Sequence, residues 1–280
     1  MSINWYPGHM VKAKREIEEN LKLVDIVAVL LDARAPFSCR NPELERMLKR
    51  KKTIMILNKM DLADPAATAR YREQFQSEDL LTEAMDSLGG KGAKEVLQAL
   101  KTAYKPVEED LLRRGRRVRP ARVMVVGVPN IGKSTFLNCL AGRKLAKTGA
   151  KPGITRGKQW IRVREDVEFL DTPGLMWPKI SIPEQGMKLA LLDIVGENAY
   201  SEEEVALYLL DFLKSNAPEI ITTALKLDNH DQPVTELLDS IARKRGHLLK
   251  GGYLDTAKTC KSLLLDFRKG NLGRISLDKV

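Results

Sequence analysis

The segment from Gly127 to Thr135, which reads GVPNIGKST, constrains the fold more than any other part of the chain. It contains the spacing G-x-x-x-x-G-K-S and lies between the apolar run ARVMVVGVPN (121–130) and the helical pattern STFLNCLAG (134–142). In a strand, turn and helix of this kind, main-chain N–H groups and the positive end of the helix surround phosphate oxygens. A chance glycine turn before a helix is the alternative, and the flanking strand disfavours it. The predicted phosphate-contacting residues are Asn130, Ile131, Gly132, Lys133, Ser134 and Thr135.

Two side chains of this loop point to nucleotide chemistry with a magnesium ion. Lys133 can reach the β- and γ-phosphates of a nucleoside triphosphate, and the hydroxyl of Ser134 can join the Mg²⁺ shell. Because the lysine stabilises charge on the transferring phosphoryl group, we expect Lys133 to be a catalytic residue.

Three further candidates lie downstream of the loop. Asp171, in LDTPG, ends a predicted strand and can hold Mg²⁺ through water, while the N–H of Gly174 can sense the γ-phosphate. Thr155, in KPGITRGK, is the candidate switch threonine for the metal. The plain alternative for all three is an ordinary turn, since proline and glycine beside them favour turns in any case.

The tetrapeptide Asn58-Lys59-Met60-Asp61 is the predicted base reader. It ends the apolar run TIMILNKMD (53–61), and no other N-K-x-D occurs after the phosphate loop. An aspartate at this place can accept hydrogen bonds from the ring N–H and the exocyclic amine of guanine, an asparagine can contact the opposite edge, and the lysine can brace the loop. A surface N-K-x-D that occurs by chance is the alternative. We also expect Asp86 and Ser87 to lie near the base.

The base reader precedes the phosphate loop, the reverse of the usual order in GTPases. Chain order does not decide where strand ends meet in a parallel sheet, and circular permutation is tolerated where chain ends lie close together. The sequence therefore predicts an α/β fold, a circularly permuted P-loop GTPase domain. The predicted order is base reader, second base element, phosphate loop, first switch and second switch.

Beyond about residue 185 the pattern changes to amphipathic helices, with no apolar strand between them. We predict a GTPase domain over residues 1–180 and a C-terminal all-helical domain over residues 181–280. A basic stretch, RRGRRVRP (113–120), reads as an exposed connector within the first domain.

The charge and the cysteine content indicate what kind of partner the protein binds and in which cell compartment it works. The chain has 47 Lys and Arg against 37 Asp and Glu, a formal net charge of +10, which indicates an anionic partner. RKRGHLLKGG (243–252) is the better RNA candidate, and KRKK (49–52) reads as solvated surface. A membrane surface is disfavoured because no strongly apolar helix with a basic face stands out. Three cysteines far apart, with no secretory signal, fit a reducing cytoplasm.

The motifs together resemble one family. WYPGHM (5–10), DAR (32–34), the N-K-x-D element, GVPNIGKST, PGIT (152–155) and DTPG (171–174) occur in the order and spacing of the circularly permuted ribosome-assembly GTPases of the YlqF/RbgA type. The resemblance implies binding of GTP and GDP, GTP hydrolysis, and binding to the rRNA of the maturing large (50S-type) ribosomal subunit, with release after hydrolysis. It also implies that the helical domain binds RNA and the ribosome. The protein is expected to be a cytoplasmic monomer and a slow enzyme until the subunit stimulates it.

Catalysis needs a group that the sequence supplies only through this resemblance. Leu175 follows Gly174, where Ras-like proteins carry a glutamine that orients water, and leucine cannot do so. The resemblance suggests His9 instead, since an imidazole can polarise water near neutral pH; a histidine that simply packs at a helix start is the alternative. In related GTPases an asparagine at the position of Asn130 helps to hold K⁺. The competing function is a GTP-dependent RNA-binding scaffold that does not hydrolyse GTP.

Overall fold

The computed structural model of the chain describes residues 3–4, 7–143, 159–171, 179–180, 182–195, 200–228 and 231–280. Its strands are β1 (Ile3–Asn4), β2 (Ile26–Asp32), β3 (Lys52–Asn58), β4 (Leu81–Met85), β5 (Ala121–Gly127), β6 (Gln159–Arg162), β7 (Val167–Asp171) and β8 (Lys179–Ile180). Its helices are α1 (Pro7–Leu21), α2 (Pro42–Leu48), α3 (Pro65–Ser77), α4 (Ala93–Arg113), α5 (Lys133–Ala141), α6 (Pro183–Leu191), α7 (Glu202–Asn216), α8 (Pro218–Thr223), α9 (Val234–Arg245) and α10 (Thr256–Lys269).

Six of these strands form one sheet in the order β4-β3-β2-β5-β7-β6. The first five run parallel, and β6 pairs with β7 in the antiparallel direction. Parallel strands end at a common edge, so the segments after β2, β3, β4 and β5 meet there although they are far apart in sequence. The predicted base reader follows β3 and the predicted phosphate loop follows β5, with only β2 between them. The sheet confirms the predicted α/β class, and its strand order fits a circularly permuted domain.

The central strand β2 shows why this region forms a parallel sheet. Its sequence is IVAVLLD, and all seven residues are buried. A strand that is covered on both faces needs a continuous apolar run rather than an alternating one. Asp32 is the exception at its carboxyl end, where it is fully buried and charged. This places ionic chemistry at the same edge of the sheet as the predicted loops.

Two helices illustrate the local signals. Asn41 is the N-cap of α2, and its side chain accepts hydrogen bonds from the N–H groups of Glu43 and Leu44. Helix α4 continues through Pro106 to Arg113. Asp110 contacts both Arg113 and Arg114, and these ion pairs favour the turns beyond Pro106.

The chain divides into two compact units. One contains the six-stranded sheet and spans Trp5–Lys179 together with Ser276–Val280. The other contains Ile180–Ile275 and the first residues of the chain. The sequence pattern assigned all of residues 181–280 to one helical domain, whereas Ser276–Val280 lies with the sheet because Leu277 is buried there and its N–H donates to the main-chain oxygen of Arg34.

The helical unit has its own apolar core. Helices α7, α9 and α10 pack together through leucines such as Leu209, Leu238 and Leu263, all 3% exposed or less. The ion pair between Arg245 and Asp266, at 2.7 Å, links α9 to α10. None of the helices in the described part of the chain is long and apolar enough to cross a membrane.

Candidate nucleotide-binding site

The loop between β5 and α5 has the backbone shape that a phosphate-binding loop needs. Asn130 and Gly132 both adopt left-handed conformations, with φ of 56° and 97°. Gly132 is the N-cap of α5 and provides no side-chain hydrogen bond to the helix. Because the first N–H groups of a helix have no partner within it, they can bind anionic oxygens. Ser134 and Thr135 lie in this first turn.

The amine of Lys133 lies over the loop. It donates to the main-chain oxygens of Gly127 at 3.3 Å and Val128 at 3.1 Å. These acceptors lie on the loop itself, so the ammonium group is held above the place where phosphate oxygens are expected. A bound phosphate offers the amine a charged acceptor and stronger hydrogen bonds than neutral carbonyls do.

The N-K-x-D element lies directly against the phosphate loop. The side-chain amide of Asn58 donates to the main-chain oxygen of Ile131 at 2.9 Å. The amine of Lys59 donates to the main-chain oxygen of Asn130 at 3.2 Å. Two consecutive side chains thus hold two consecutive residues of the loop, and the two motifs form one site.

The side chain of Asn58 is enclosed by other groups of the protein. It is 1% exposed, and its side-chain oxygen accepts a hydrogen bond from the hydroxyl of Ser87 at 2.6 Å. The amide therefore joins three segments: the end of β3, the loop after β4 and the phosphate loop. Sequence reasoning assigned Asn58 and Ser87 to the base, while their side chains in this structure contact each other.

The loop after β4 is a turn built on Asp86. One carboxylate oxygen accepts from the N–H groups of Leu88 and Gly89, each at 2.8 Å. Gly89 packs so closely that a Cβ atom there would lie 2.3 Å from the other carboxylate oxygen. Asp86 therefore shapes the loop beside Ser87.

An ionic cluster of the buried Asp32 and Arg34 with the partly exposed Lys59 lies beside the predicted base reader, and sequence reasoning gave this cluster no role. Two nitrogens of the Arg34 guanidinium contact Asp32 at 2.9 and 2.8 Å, and the amine of Lys59 lies 3.1 Å from the same carboxylate. Burial alone would raise the pKa of Asp32, but the attraction of Arg34 and Lys59 outweighs it and holds that pKa well below its usual range. The available signal was the motif DAR at the end of an apolar strand.

The remaining predicted residues are placed in part. Met60 donates its N–H to the oxygen of Met85 at 3.2 Å, and Asp61 is partly exposed two residues after Lys59. Asp171 ends β7, where its Cα pairs with that of Val125 in β5.

Several predicted catalytic or metal-binding groups lie outside the described part of the structure, among them the side chain of Asp171. Thr155 and Gly174 lie outside the described residues. His9 belongs to the first turn of α1 by its main chain, and its side chain lies outside the described part. Their roles stay predictions.

Comparison with known proteins decides the family. A family model described as "50S ribosome-binding GTPase" matches residues 122–246. The chain is 40% identical to Ribosome biogenesis GTPase A of Bacillus licheniformis over 100% of this chain and 99% of that protein. It is 34% identical to the protein of the same name from Thermotoga maritima, over 99% of this chain and 94% of that one.

The chain belongs to the ribosome biogenesis GTPase A family. A crystal structure of GNP-bound YlqF from T. maritima is similar with a TM-score of 0.68 and 29% identity, covering 96% of this chain and 98% of that one. A GDP-bound YlqF structure has the same TM-score and identity. The described sheet brings the predicted base reader and the predicted phosphate loop together, and the chain is a GTPase that binds GTP and GDP.

Proposed function

We propose that this GTPase acts in assembly of the large ribosomal subunit, binding the subunit precursor through its rRNA and leaving after it hydrolyses GTP. The observation that carries the proposal is the contact of Asn58 and Lys59 with the phosphate loop, which makes a guanine-nucleotide site from two separated motifs. The relatives' name, Ribosome biogenesis GTPase A, supports the setting. We also propose that the protein works in the cytoplasm as a monomer.

The residues of the site fit a Mg²⁺ ion, which would neutralise charge on the phosphates and orient them. Its proposed ligands are the Ser134 hydroxyl, the Thr155 hydroxyl and, through water, the Asp171 carboxylate. The end of β7 lies beside β5, which brings the main chain of Asp171 near the loop that carries Ser134. Hydroxyl and carboxylate oxygens are the donors that this hard cation prefers.

We propose that Asp61 accepts from the guanine ring while Asn58 and Ser87 hold the segments around it. Asp86 contributes by shaping the loop that carries Ser87. Lys133 would stabilise charge on the γ-phosphate, and the N–H of Gly174 would contact the same group.

The remaining catalytic groups are proposed from the resemblance. His9 would polarise the attacking water in place of the glutamine that Leu175 replaces. Asn130 would help to hold K⁺ beside the phosphates. Its left-handed φ of 56° and exposed side chain are compatible with this role.

The proposed RNA surface is the turn between α9 and α10. A tight hairpin closes this turn through a bridge between Leu248 and Leu254, with left-handed glycines at Gly251 and Gly252. Tyr253, which adjoins this bridge, is 74% exposed. An exposed aromatic ring can stack on an unpaired base.

The basic side chains near this hairpin differ in their exposure and in their ion pairs. Arg245 is held by Asp266 at 2.7 Å and therefore supports the fold. Arg243 and Lys250 are exposed and can approach phosphate oxygens. In the other predicted basic tract, the amine of Lys51 donates to the main-chain oxygen of Val24 at 2.8 Å, which gives that lysine a structural role.

Phosphate release from GTP, measured with and without large-subunit precursors, tests the proposal. We expect slow turnover alone and faster turnover with precursors, and tighter precursor binding with a non-hydrolysable GTP analogue than with GDP. Binding that depends on GTP but produces no phosphate would instead support the scaffold function. Small-subunit precursors are the control for specificity.

Variants at the hairpin test the RNA surface. Tyr253→Ala combined with Lys250→Ala should weaken precursor binding and leave GTP affinity of the free protein unchanged. Lys105→Ala is the matched control, because Lys105 is an exposed lysine of the sheet-containing unit, 71% accessible at its side chain. Equal precursor binding by the double variant and the parent would exclude this surface.

A further inference from the structure

The segment Ser276–Val280, called here the returning segment, is built into the sheet-containing unit rather than lying loose on it. Leu277 is 1% exposed and donates its N–H to the main-chain oxygen of Arg34 at 2.6 Å. Arg34 belongs to the ionic cluster beside the base reader. The returning segment therefore contacts the loop after β2 at the residue whose side chain supports the nucleotide site.

Asp278 holds the same segment through three hydrogen bonds. Its carboxylate accepts from the N–H of Ser38 at 2.9 Å and from the hydroxyl of Ser38 at 2.6 Å. Its main-chain oxygen accepts from the hydroxyl of Tyr71 in α3 at 2.6 Å. Burial, followed by the charge of Asp278, raises the pKa of Tyr71 to about 12, so this hydroxyl stays a donor at neutral pH.

A further hydrogen bond joins the returning segment to the residues that follow the base reader. The hydroxyl of Ser276 accepts from the N–H of Asp64 at 3.1 Å. Asp64 is the N-cap of α3 and lies three residues after Asp61. A second hydrogen bond spans Asp61, because the N–H of Leu62 donates to the main-chain oxygen of Lys59 at 3.0 Å. The backbone that carries Asp61 is thus held at Lys59 and at Asp64, and the returning segment provides one of the hydrogen bonds at Asp64.

We infer that the returning segment is a positioning element of the guanine site, which sets where Asp61 meets the base. It acts through two routes that start from adjacent residues. Ser276 fixes the start of α3 after Asp61, and Leu277 fixes Arg34. From Arg34 the contacts continue through the Asp32 carboxylate to Lys59, which donates to the phosphate loop.

This inference rests on the proposed role of Asp61 as base reader, and base choice separates it from a merely structural role. Inosine lacks the exocyclic amine of guanine, so IDP cannot make one of the two hydrogen bonds proposed for Asp61. A misplaced Asp61 weakens GDP binding more than IDP binding. A general loosening of the fold weakens both alike.

Two hydroxyl deletions and a matched control test the inference in the full chain. Tyr71→Phe and Ser38→Ala each remove a hydrogen bond to Asp278. Tyr104→Phe is the control, because Tyr104 is also buried and its hydroxyl donates to a main-chain oxygen, that of Arg119, at 2.8 Å. That contact lies before the start of β5, away from the carboxyl edge of the sheet.

Affinities for GDP and IDP are measured on variants whose melting shows that they are folded. We expect Tyr71→Phe and Ser38→Ala to bind GDP about fivefold more weakly, the loss of about one hydrogen bond, with IDP changed by less than about twofold. Tyr104→Phe should change neither affinity. Equal losses for GDP and IDP, or no loss for either, would overturn the inference.

Asp61→Asn separates this outcome from a failure of the base-reader assignment. If that variant keeps the parent's preference for GDP over IDP, the assignment of Asp61 is wrong, and the inference about the returning segment is then excluded as well. If Asp61→Asn abolishes the preference and the two hydroxyl deletions do not affect it, only the role of the returning segment is excluded.

Discussion

The side-chain amide of Asn58 lies 2.9 Å from the main-chain oxygen of Ile131, a residue 73 positions later in the chain. This hydrogen bond joins the end of β3 to the phosphate loop. It explains how two motifs in reversed order make one nucleotide site, since the strands that carry them are separated by β2 alone. A disturbance at the contact should therefore reach the phosphates.

Gly132→Ala tests that contact. A Cβ atom at Gly132 would lie 2.8 Å from the side-chain nitrogen of Asn58, which its two hydrogen bonds keep in place. The left-handed φ adds about 1–2 kcal/mol of strain. We expect a loss of GTP and GDP affinity, measured by titration. Gly142→Ala is the control: its φ is also left-handed, at 63°, but nothing lies within 4 Å. Equal nucleotide affinity of the two variants would contradict the close approach.

Asp61→Asn should change the base that the site prefers. The carboxylate accepts two hydrogen bonds from guanine in the proposed arrangement, and loss of a charged hydrogen bond costs about 1.5–3 kcal/mol, or about 10–100-fold in affinity. Xanthine carries an oxygen where guanine has the amine, so the amide of the variant can donate to it. Competition between GTP and XTP measures the shift. Unchanged GTP affinity would exclude Asp61 as the base reader.

Asp32→Asn should destabilise the sheet-containing unit at neutral pH. Removing one partner of a buried ion pair costs about 3–5 kcal/mol, because Arg34 and Lys59 lose their counter-charge. Urea unfolding at pH 7 measures this, with Glu168→Gln as the control, since Glu168 pairs with Arg122 in a partly exposed bridge.

The pH dependence of the same difference has a defined sign. The folded pKa of Asp32 is depressed, so its contribution is present above the unfolded pKa of about 3.9 and is lost as the pH falls toward the folded value. The gap in unfolding free energy between the parent and Asp32→Asn should therefore shrink below about pH 4. A gap that stays constant from pH 7 to pH 3 would show that Asp32 is not the source.

Lys133→Ala and His9→Ala should fail in different ways. Loss of Lys133 removes a charge that acts on the γ-phosphate, so we expect hydrolysis to fall by about 100-fold or more. Loss of His9 should lower turnover by about 100-fold and leave nucleotide affinity nearly unchanged, because His9 is proposed to act on water. Phosphate release on large-subunit precursors measures both. Parent-like turnover of His9→Ala would make this histidine a packing residue.

The proposed role of Asn130 predicts a dependence on the monovalent cation. A bound K⁺ neutralises charge on the phosphates, and the smaller Na⁺ would not fit the same ligands equally well. We expect faster hydrolysis in K⁺ than in Na⁺, and a smaller difference after Asn130→Ala. Equal rates in the two salts would remove the assignment.

Local sequence determined the elements and the chemistry of this protein. Apolar runs predicted β3 and β5, because a strand covered on both faces must be apolar over most of its length. The spacing of Gly127, Gly132 and Lys133 predicted the phosphate loop, since each residue type meets a local need of that loop. The reversed order of the two motifs predicted the permutation. Such inferences succeed because they depend on neighbours within a few residues.

Only the tertiary structure decided which side chains meet. Nothing in the motif N-K-x-D shows that Asn58 would be enclosed by Ser87 and Ile131, because those contacts join segments that the sheet brings together. The ion pair of Asp32 with Lys59 and the return of Ser276–Val280 to the sheet arise in the same way. Each depends on hydrogen bonds and packing between residues far apart in the chain. Local propensity cannot identify such partners, because it depends only on residues that are close in sequence.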